Sequence, residues 1–432
     1  MATSRTMQTA TLKSKVRLVG FRFLVAYLVF YILPFPMDSL PFIGEKAEVC
    51  WRKFWQLIVP WVGSHILRLS AENSLIAKGI GGSGDTLFEY VRLFCLLALA
   101  LLATLAWSGL DGRRKNYARL NEWLHVALRY YLAIAMLSYG GIKVLRSQFQ
   151  FPEPERWFQT YGNSSPMRLL WTFMGFSAPY TFFCGMAEVL SAFLLFFRRT
   201  CTLGALVAAA VLSNVVMLNY CYDVPVKIYS THLLLVTLVL LLPDFQRLSD
   251  FFVLNRGCES RKMLPYFKTK QWNRASRIVK SLFIIWSVFV TGRICYENWV
   301  THGDRAPRPD LYGAYEVETF AQDGKLLPPL ASDTRRWRRF IVNRNSFTIQ
   351  HMNDQTDRFQ GSPDSAAGTL NLSHGTEKIT LSYVRPETDR LILDGKLASG
   401  ANIHVELRRR ELGTLPLLKR GFHWLNEVPF NF

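Results

Sequence analysis

The chain has 432 residues, half of them hydrophobic, and a formal net charge of +19. This length leaves room for roughly two or three domains. So much apolar sequence excludes an ordinary soluble enzyme. The positive charges lie beside hydrophobic runs instead of forming one basic face, which argues against nucleic-acid binding. The composition therefore indicates a multispanning membrane protein held in a lipid bilayer that contains anionic lipid.

Hydrophobic segments close to the ~20 residues that cross a bilayer recur along the first 300 residues. The first segment follows a basic start and has no small-residue cleavage site, so we expect an uncleaved span instead of a signal peptide. The sequence thus predicts about seven transmembrane helices. They lie at about 18–36, 86–108, 124–145, 178–197, 202–220, 226–243 and 278–297.

Basic residues are concentrated in alternate loops of this seven-span arrangement. The positive-inside rule makes these loops cytoplasmic, so we expect a cytoplasmic N-terminus and an extracytoplasmic C-terminal domain. The basic residues in question are Arg5, Lys13, Lys15, Arg113, Arg114, Lys115, Arg119, Arg198, Arg199, Arg247, Arg256, Arg261, Lys262, Lys268, Lys270, Arg274 and Arg277.

Two of the outer loops have a distinctive composition. From Val49 to Leu69, aromatic and aliphatic residues recur at helical spacing between charged ones, which predicts an interfacial helix with a tryptophan belt. Residues 147–177 are rich in Phe, Pro and Trp, and we expect them to cap the helical bundle.

From about Tyr312 the pattern changes to short runs that alternate apolar and polar residues between turn residues. We therefore divide the chain into a transmembrane helical domain at 1–300 and a β-rich domain at 301–432, either an up-and-down barrel or a meander sandwich. The aromatic final segment 421–432 is expected to plug the barrel or to lie against the membrane surface. The predicted strands are 313–320, 339–343, 346–350, 368–372, 378–383, 390–394 and 403–408.

Five ionisable residues lie inside or at the mouths of the apolar segments: Lys143, Glu188, Asp223, Lys227 and His232. A charge in hydrocarbon costs at least a few kcal/mol, so such residues usually face a bundle interior and pair with one another. We take them as the core of a candidate functional site.

Lys143 shares one face of its segment with Tyr139 and Gly140, and Glu188 lies within the first half of another apolar segment. Glu188 must pair with a cation or be protonated, so we expect a Glu188–Lys143 ion pair between adjacent spans. Two interpretations stay open for the pair, a helix-locking contact and a proton relay or ligand anchor. Lys143 could alternatively extend its ammonium group to the interface.

The outer turn that contains Asn219, Asp223, Lys227, Tyr229 and His232 is unusually polar for its length. An imidazole there could transfer protons or hold a quinone-like carbonyl, or it could bind a backbone carbonyl in the packed core. No second histidine or cysteine lies at metal-ligand spacing, and the seven cysteines occur singly, so we predict neither a metal site nor a disulfide framework.

The glycine-rich segment at 78–86 superficially suggests a phosphate-binding loop. It lacks the preceding strand and the Gly-Lys-Ser/Thr ending of such loops. We interpret it as a turn in which Asp85 or Thr86 caps the second span.

Several segments of the chain look like parts of one known membrane family. Residues 130–143, which end in Tyr-Gly-Gly-Ile-Lys143, and residues 185–191, which begin Gly-Met-Ala-Glu188, resemble the membrane core of the DoxX-like family. Residues 82–90, 219–232 and 242–248 are similar to uncharacterised bacterial members of that group. The resemblance covers about residues 15–255, and the β domain resembles an appendage carried by a subset.

The resemblance implies a multi-pass protein of the bacterial cytoplasmic (inner) membrane. Members of the DoxX-like family are associated with sulfur-compound oxidation, quinone reduction and oxidative-stress complexes. Together with the residues, this predicts a quinone or another amphipathic small molecule in an outward-facing pocket. Lys143, Glu188 and His232 would be catalytic there, and Tyr139, Asn219, Asp223, Lys227 and Tyr229 would contact the ligand.

A different class of function stays open beside this one. The ionisable residues would then only lock helices, and the protein would be a non-enzymatic scaffold or lipid carrier. In that case its β domain would bind lipid or an extracytoplasmic protein partner. A transporter is less consistent with the sequence, because no inverted repeat with broken helices is visible.

Overall fold

The computed structural model of the chain describes residues 2–69, 84–112, 114, 116–258, 267–375 and 377–431. It separates into two compact units. The first comprises Met1–Gln148 and Pro179–Asn298, and the second comprises Phe149–Ala178 and Trp299–Phe432. Residues 149–178 thus belong with the β-rich part of the chain, whereas the sequence analysis assigned this loop to the helical domain as a cap of the bundle.

The first unit is helical. Long runs of residues such as Leu, Ala and Phe favour helix here, and the apolar environment of a bilayer makes internal backbone hydrogen bonding obligatory. Its helices are α1 (Ala2–Ile32), α2 (Gly44–His65), α3 (Leu87–Leu110) and α4 (Ala118–Val144), and, after α5 (Pro166–Phe176) of the second unit, α6 (Ala178–Phe196), α7 (Cys201–Cys221), α8 (Lys227–Leu241), α9 (Phe245–Phe252) and α10 (Lys270–Thr301).

Six segments among the described residues are long and apolar enough to cross a membrane, which makes this a multi-pass membrane protein. The predicted third span corresponds to α4, which is not one of the six. This helix has 27 residues but is more polar, with Arg119, Glu122, Arg129 and Lys143 along its length. The six segments are Val16–Ser39, Leu87–Leu110, Ala178–Phe196, Cys201–Cys221, Lys227–Phe252 and Lys270–Thr301.

The core of the first unit is built around α4. Leu128, Leu132 and Ala133 of this helix are fully buried, and they belong to one cluster with apolar side chains of α1, α3, α6, α7 and α8. Helix α2 presents Trp55 and Val59 to this core and leaves Trp61 more than half exposed. That two-sided distribution is typical of the interfacial helix that the sequence predicts.

The β-strands of the second unit form one antiparallel up-and-down barrel. Within residues 313–409, as far as they are described, eight strands follow one another in chain order, and pairing of the first with the last closes the barrel. The two-residue β2 only extends a hairpin from β1. The strands are β1 (Gly313–Gln322), β2 (Lys325–Leu326), β3 (Trp337–Val342), β4 (Phe347–His351), β5 (Thr356–Asp364), β6 (Thr369–His374), β7 (Glu377–Val384), β8 (Arg390–Lys396) and β9 (Asn402–Arg409).

The barrel interior is filled by its own side chains. Tyr315, Phe320, Phe340 and Phe347 are almost completely buried and form one cluster with aliphatic residues of the other strands. The final segment is different, since Trp424 is 89% exposed. The expectation that this segment plugs the barrel is therefore wrong, because the interior has no room left for it.

Strand β5 is a barrel strand that the sequence does not predict. It contains Gly361 and Pro363, residues that are disfavoured inside strands, and only Phe359 is buried among its nine residues. Its place in the barrel comes from pairing with β4 and β6 and not from its own alternation.

Some residues used in the sequence analysis lie outside the described part of the chain. They include residues 78–83 of the glycine-rich segment, the side chains of Arg5, Lys13 and Lys15, and the basic residues Arg113, Lys115, Arg261 and Lys262.

Candidate functional site

A buried ion pair joins α4 to α6. The Lys143 ammonium group donates to both carboxylate oxygens of Glu188, with Nζ 2.9 Å from Oε1 and 2.9 Å from Oε2. The two residues are 7% and 3% exposed, so the pair is almost completely removed from solvent. This is the contact that the sequence predicts, and burial makes it costly to leave either partner alone.

The pair lies at a close crossing of the two helices, made by glycines. A Cβ atom on Gly140 would come within 2.8 Å of the Gly185 carbonyl oxygen, and one on Gly185 would come within 2.8 Å of the Gly140 carbonyl oxygen. Lys143 and Glu188 each follow their glycine by three residues, about one helical turn. The small residues therefore bring the backbones together, and the ion pair forms one turn further along each helix.

An ammonium group has three N–H donors, and two of these bind Glu188. Among the described residues the structure gives no acceptor for the third. The Lys143 Nζ lies 5.6 Å from the centre of the Tyr139 ring, within cation–π range. The site therefore combines a carboxylate, an aromatic face and an ammonium group whose third N–H has no acceptor among the described residues.

A group of tyrosines continues from this pair. Tyr139 of α4 lies against Tyr229 of α8, with ring centroids 5.9 Å apart. Tyr229 also interacts electrostatically with Tyr131 of α4. Tyr131 and Tyr139, about two turns apart on α4, and Tyr229 at the start of α8 thus place phenol groups near the ion pair.

His232 of α8 lies in an aromatic environment of its own. Its ring stacks on Tyr31 of α1 with centroids 4.1 Å apart. Its Nδ1 lies 2.6 Å from the Ile228 carbonyl oxygen, and its Nε2 lies 2.5 Å from the Tyr27 hydroxyl. Nδ1 must donate to the carbonyl, so in the neutral ring Nε2 accepts from Tyr27 and both nitrogens are satisfied.

The polar outer turn around Asp223 and Lys227 contains a cap for α8. The Asp85 carboxylate accepts from the backbone N–H groups of Lys227 and Ile228, at 2.8 and 3.0 Å. The Lys227 ammonium lies 2.7 Å from Asp223, whose side chain is largely exposed, and 3.8 Å from Asp85. Thr86 caps α3 by accepting from the Glu89 N–H. The prediction for Thr86 is confirmed, whereas Asp85 caps a helix distant in sequence instead of its own.

The structure brings together some of the residues that the sequence predicts for the functional site. Tyr139, Lys143, Glu188 and Tyr229 form one continuous cluster by the contacts described above. The buried Asn219 donates to the Ser230 hydroxyl at 3.0 Å and so ties α7 to α8. Among the described residues no contact joins Asp223, Lys227 or His232 to the ion pair.

Sequence reasoning missed several polar residues in the bundle. Tyr27, Tyr31 and Tyr131 were not singled out, because tyrosine is common in membrane proteins and gives no local signal. Arg22 of α1 is only 4% exposed and binds the Tyr117 hydroxyl and the Asp111 carbonyl oxygen. A lone arginine inside an apolar segment was the signal that could have identified it.

Comparison with known proteins identifies one relative. Over 141 residues, 33% of this chain and 88% of the relative, the chain is 36% identical to a Bacillus subtilis (strain 168) protein described as "Uncharacterized protein YwoB". No family model matches the chain, and no solved structure matches it. The relative's description assigns no activity, so it leaves the chemistry to be argued from the site. The identity and the nearly complete coverage of the relative show that the chain belongs to the YwoB family over this shared region.

Proposed function

We propose that the protein binds a quinone or another amphipathic small molecule at the cluster of Tyr139, Lys143, Glu188 and Tyr229, as part of a membrane redox or stress-related system. The observation that supports this most strongly is the buried Lys143–Glu188 pair, whose ammonium group keeps one N–H without an acceptor in the described part of the chain. The proposal keeps the DoxX-like interpretation of the membrane part and a bacterial inner-membrane location.

The chemistry of the cluster suits a ligand with an apolar body and polar oxygens. A quinone carbonyl accepts hydrogen bonds, and Lys143 and the tyrosine hydroxyl groups are donors in a site from which water is largely excluded. Aromatic rings such as those of Tyr139 and Tyr229 offer surfaces on which a flat ring can stack. Glu188 would hold the lysine in place and could exchange a proton with a reduced ligand.

The proposal includes α4 as a seventh span. A central helix that carries an ion pair satisfied by its neighbour can cross a bilayer although its mean hydropathy is lower. With seven spans the basic residues Arg114, Arg198 and Arg247 fall on one side, which would be the cytoplasmic side. The N-terminus would then be cytoplasmic and the barrel extracytoplasmic.

Native mass spectrometry of the protein purified in mild detergent tests the ligand. We expect a co-purifying quinone in the wild type and in Tyr220→Phe, a control at an exposed tyrosine of α7. In Tyr229→Phe, which loses a hydroxyl group from the cluster but keeps the ring, we expect at least a several-fold lower occupancy. A wild type without a quinone or any other amphipathic small molecule, or equal occupancy in the two variants, would contradict the proposal.

A non-enzymatic scaffold is the second candidate function, and two observations favour it. Both nitrogens of His232 are already hydrogen-bonded, and the glycine crossing with its ion pair is an effective helix lock. The ionisable groups would then serve only the packing, and the β unit would bind lipid or a partner protein. The filled barrel interior restricts such binding to the outside of the barrel. A wild-type protein that carries no small molecule but captures lipid through its β unit would favour this function.

A further inference from the structure

Part of the outer wall of the barrel is buried. Thr348 and Gln350 alternate in β4 with Phe347 and Ile349, which point into the interior, so the first two side chains lie on the outer face. Nevertheless Thr348 is 0% exposed and Gln350 is 4% exposed. The outer face of this strand is therefore covered by other parts of the second unit.

The cover is provided by residues 149–178, which are anchored to the barrel by specific polar contacts. Arg344 donates to Glu153 at 2.8 Å, and Asn343 donates to Glu155 at 3.2 Å. The guanidinium group of Arg339 lies over the Phe158 ring, 4.7 Å from its centre. These contacts fix the short helical turn Pro154–Trp157 beside strand β3.

A cavity of about 450 Å³ lies between this cover and the barrel wall. That volume is within the ~300–1,000 Å³ usual for small-molecule sites. The lining is rich in amides and hydroxyl groups and includes one aromatic ring. Its members include Phe158, Gln159, Thr348, Gln350, Asn353 and Gln355.

The charged residues of the lining are compensated by protein partners. Glu155 lies 3.3 Å from Arg358 and 4.0 Å from Arg168. Asp354 accepts from Arg338 at 2.7 Å and from Gln350 at 3.0 Å. The amides of Gln159 and Gln350 also bind protein partners. A ligand therefore meets mainly the exposed neutral groups of Gln355 and Thr356, which favours a neutral polar ligand over an ion.

One lining residue has an unmet hydrogen-bonding requirement. The Thr348 hydroxyl oxygen is buried and has no hydrogen-bond partner in the described part of the chain. A buried hydroxyl group without a partner costs free energy. Because Thr348 is 0% exposed, its hydroxyl group lies below the cavity surface, where a ligand does not reach it.

We propose that this cavity binds a saccharide of one or two rings. Sugar rings present several hydroxyl groups that both donate and accept, which matches side-chain amides and threonine hydroxyl groups, and their C–H faces pack on an aromatic ring such as Phe158. The site is separate from the cluster around Lys143 and Glu188, and it does not depend on the function proposed for that cluster.

Saturation-transfer NMR on the full-length protein in nanodiscs tests the proposal without a glycoside detergent that would compete. The probes are glucose, maltose, N-acetylglucosamine and its β-1,4-linked dimer, with inorganic phosphate as an anionic competitor. We expect transfer to at least one saccharide, which phosphate does not displace.

Matched variants locate the binding. Gln355→Ala and Thr356→Val, at two exposed residues of the lining, should each weaken saccharide binding at least tenfold, while Gln360→Ala, at an exposed glutamine of β5 outside the lining, should leave it unchanged. All three residues are exposed, so none of these substitutions should lower the unfolding temperature. No transfer to any of the saccharides, displacement by phosphate, or equal binding by all three variants would overturn the proposal.

Discussion

At the scale of single residues, the Lys143–Glu188 pair makes the sharpest prediction. Removing one partner leaves a buried charge without its counter-ion, which typically destabilises a protein by about 3–5 kcal/mol. Glu188→Gln should therefore lower the free energy of unfolding strongly, and the double variant Lys143→Met/Glu188→Met should recover most of that loss because no charge remains buried. Denaturant unfolding in detergent measures both variants. A double variant as unstable as Glu188→Gln would contradict a charge-based origin of the effect.

The stability of the barrel is predicted to depend on pH through His404. The Asp394 carboxylate, 2.6 Å from His404 Nδ1, raises the pKa of this imidazole, and Glu406 contributes in the same direction. Because the pKa of His404 is raised in the folded state, protonated His404 stabilises the folded barrel. This stabilisation is complete below the unfolded-state pKa of about 6.5, and it is lost as pH rises through the folded-state pKa.

An NMR titration checks this directly. The His404 resonance, assigned by its absence in His404→Gln, should titrate above the ordinary histidine range, and Asp394→Asn should move its pKa back toward that range. The same pKa in the wild type and in Asp394→Asn would rule out the carboxylate as the cause.

At the scale of elements, the start of α8 depends on a cap from a distant part of the chain. Asp85 accepts from the Lys227 and Ile228 N–H groups. Loss of a capping side chain costs about 0.5–2 kcal/mol. Asp85→Ala should therefore lower the unfolding temperature, and Asp85→Asn, which keeps an acceptor oxygen, should lower it less. If both substitutions leave the unfolding temperature unchanged, this cap does not contribute to stability.

The helix crossing makes a second prediction at this scale. A side chain on Gly140 would meet the α6 backbone at 2.8 Å, so Gly140→Val must separate the two helices and stretch the ion pair. Gly109, at which an added Cβ atom would meet nothing within 4 Å, offers a matched control. We expect a clear loss of thermal stability in Gly140→Val and little change in Gly109→Val. Equal stability of the two variants would show that the crossing tolerates a larger spacing.

The elements also show what sequence can and cannot predict. Most strands and the Lys143–Glu188 pair could be predicted, because alternation marks a barrel wall and two charges in neighbouring apolar helices require each other. The role of Asp85 could not be predicted, because its partner Lys227 is 142 residues away and no local sequence pattern indicates that contact. Strand β5 was hidden by Gly361 and Pro363, and its position depends on its neighbours.

At the scale of the whole molecule, each of the two units contains its own candidate binding site. The helical unit buries an ion pair and a series of tyrosines, and the barrel fills its interior and keeps a polar cavity on its outer wall. The chain is therefore expected to have two separate binding sites, one for an amphipathic ligand and one for a polar ligand. Variants of one site should leave the other unaffected.

The number of spans is a prediction about the whole molecule. If α4 crosses the membrane, the two termini lie on opposite sides, with the N-terminus cytoplasmic. Reporter fusions at each terminus, one active only inside the cell and one active only outside, should show this arrangement. Termini on the same side would show that α4 does not span and would remove the basis for the proposed orientation.

The most direct test of the central claim is the quinone content of Lys143→Met/Glu188→Met, measured by native mass spectrometry beside the wild type. This double variant removes the proposed ligand contacts without leaving a buried charge, so its folding should be preserved. We predict a quinone in the wild type and none in the double variant at comparable stability. A stable double variant that still carries the quinone would contradict the claim that this ion pair anchors a ligand.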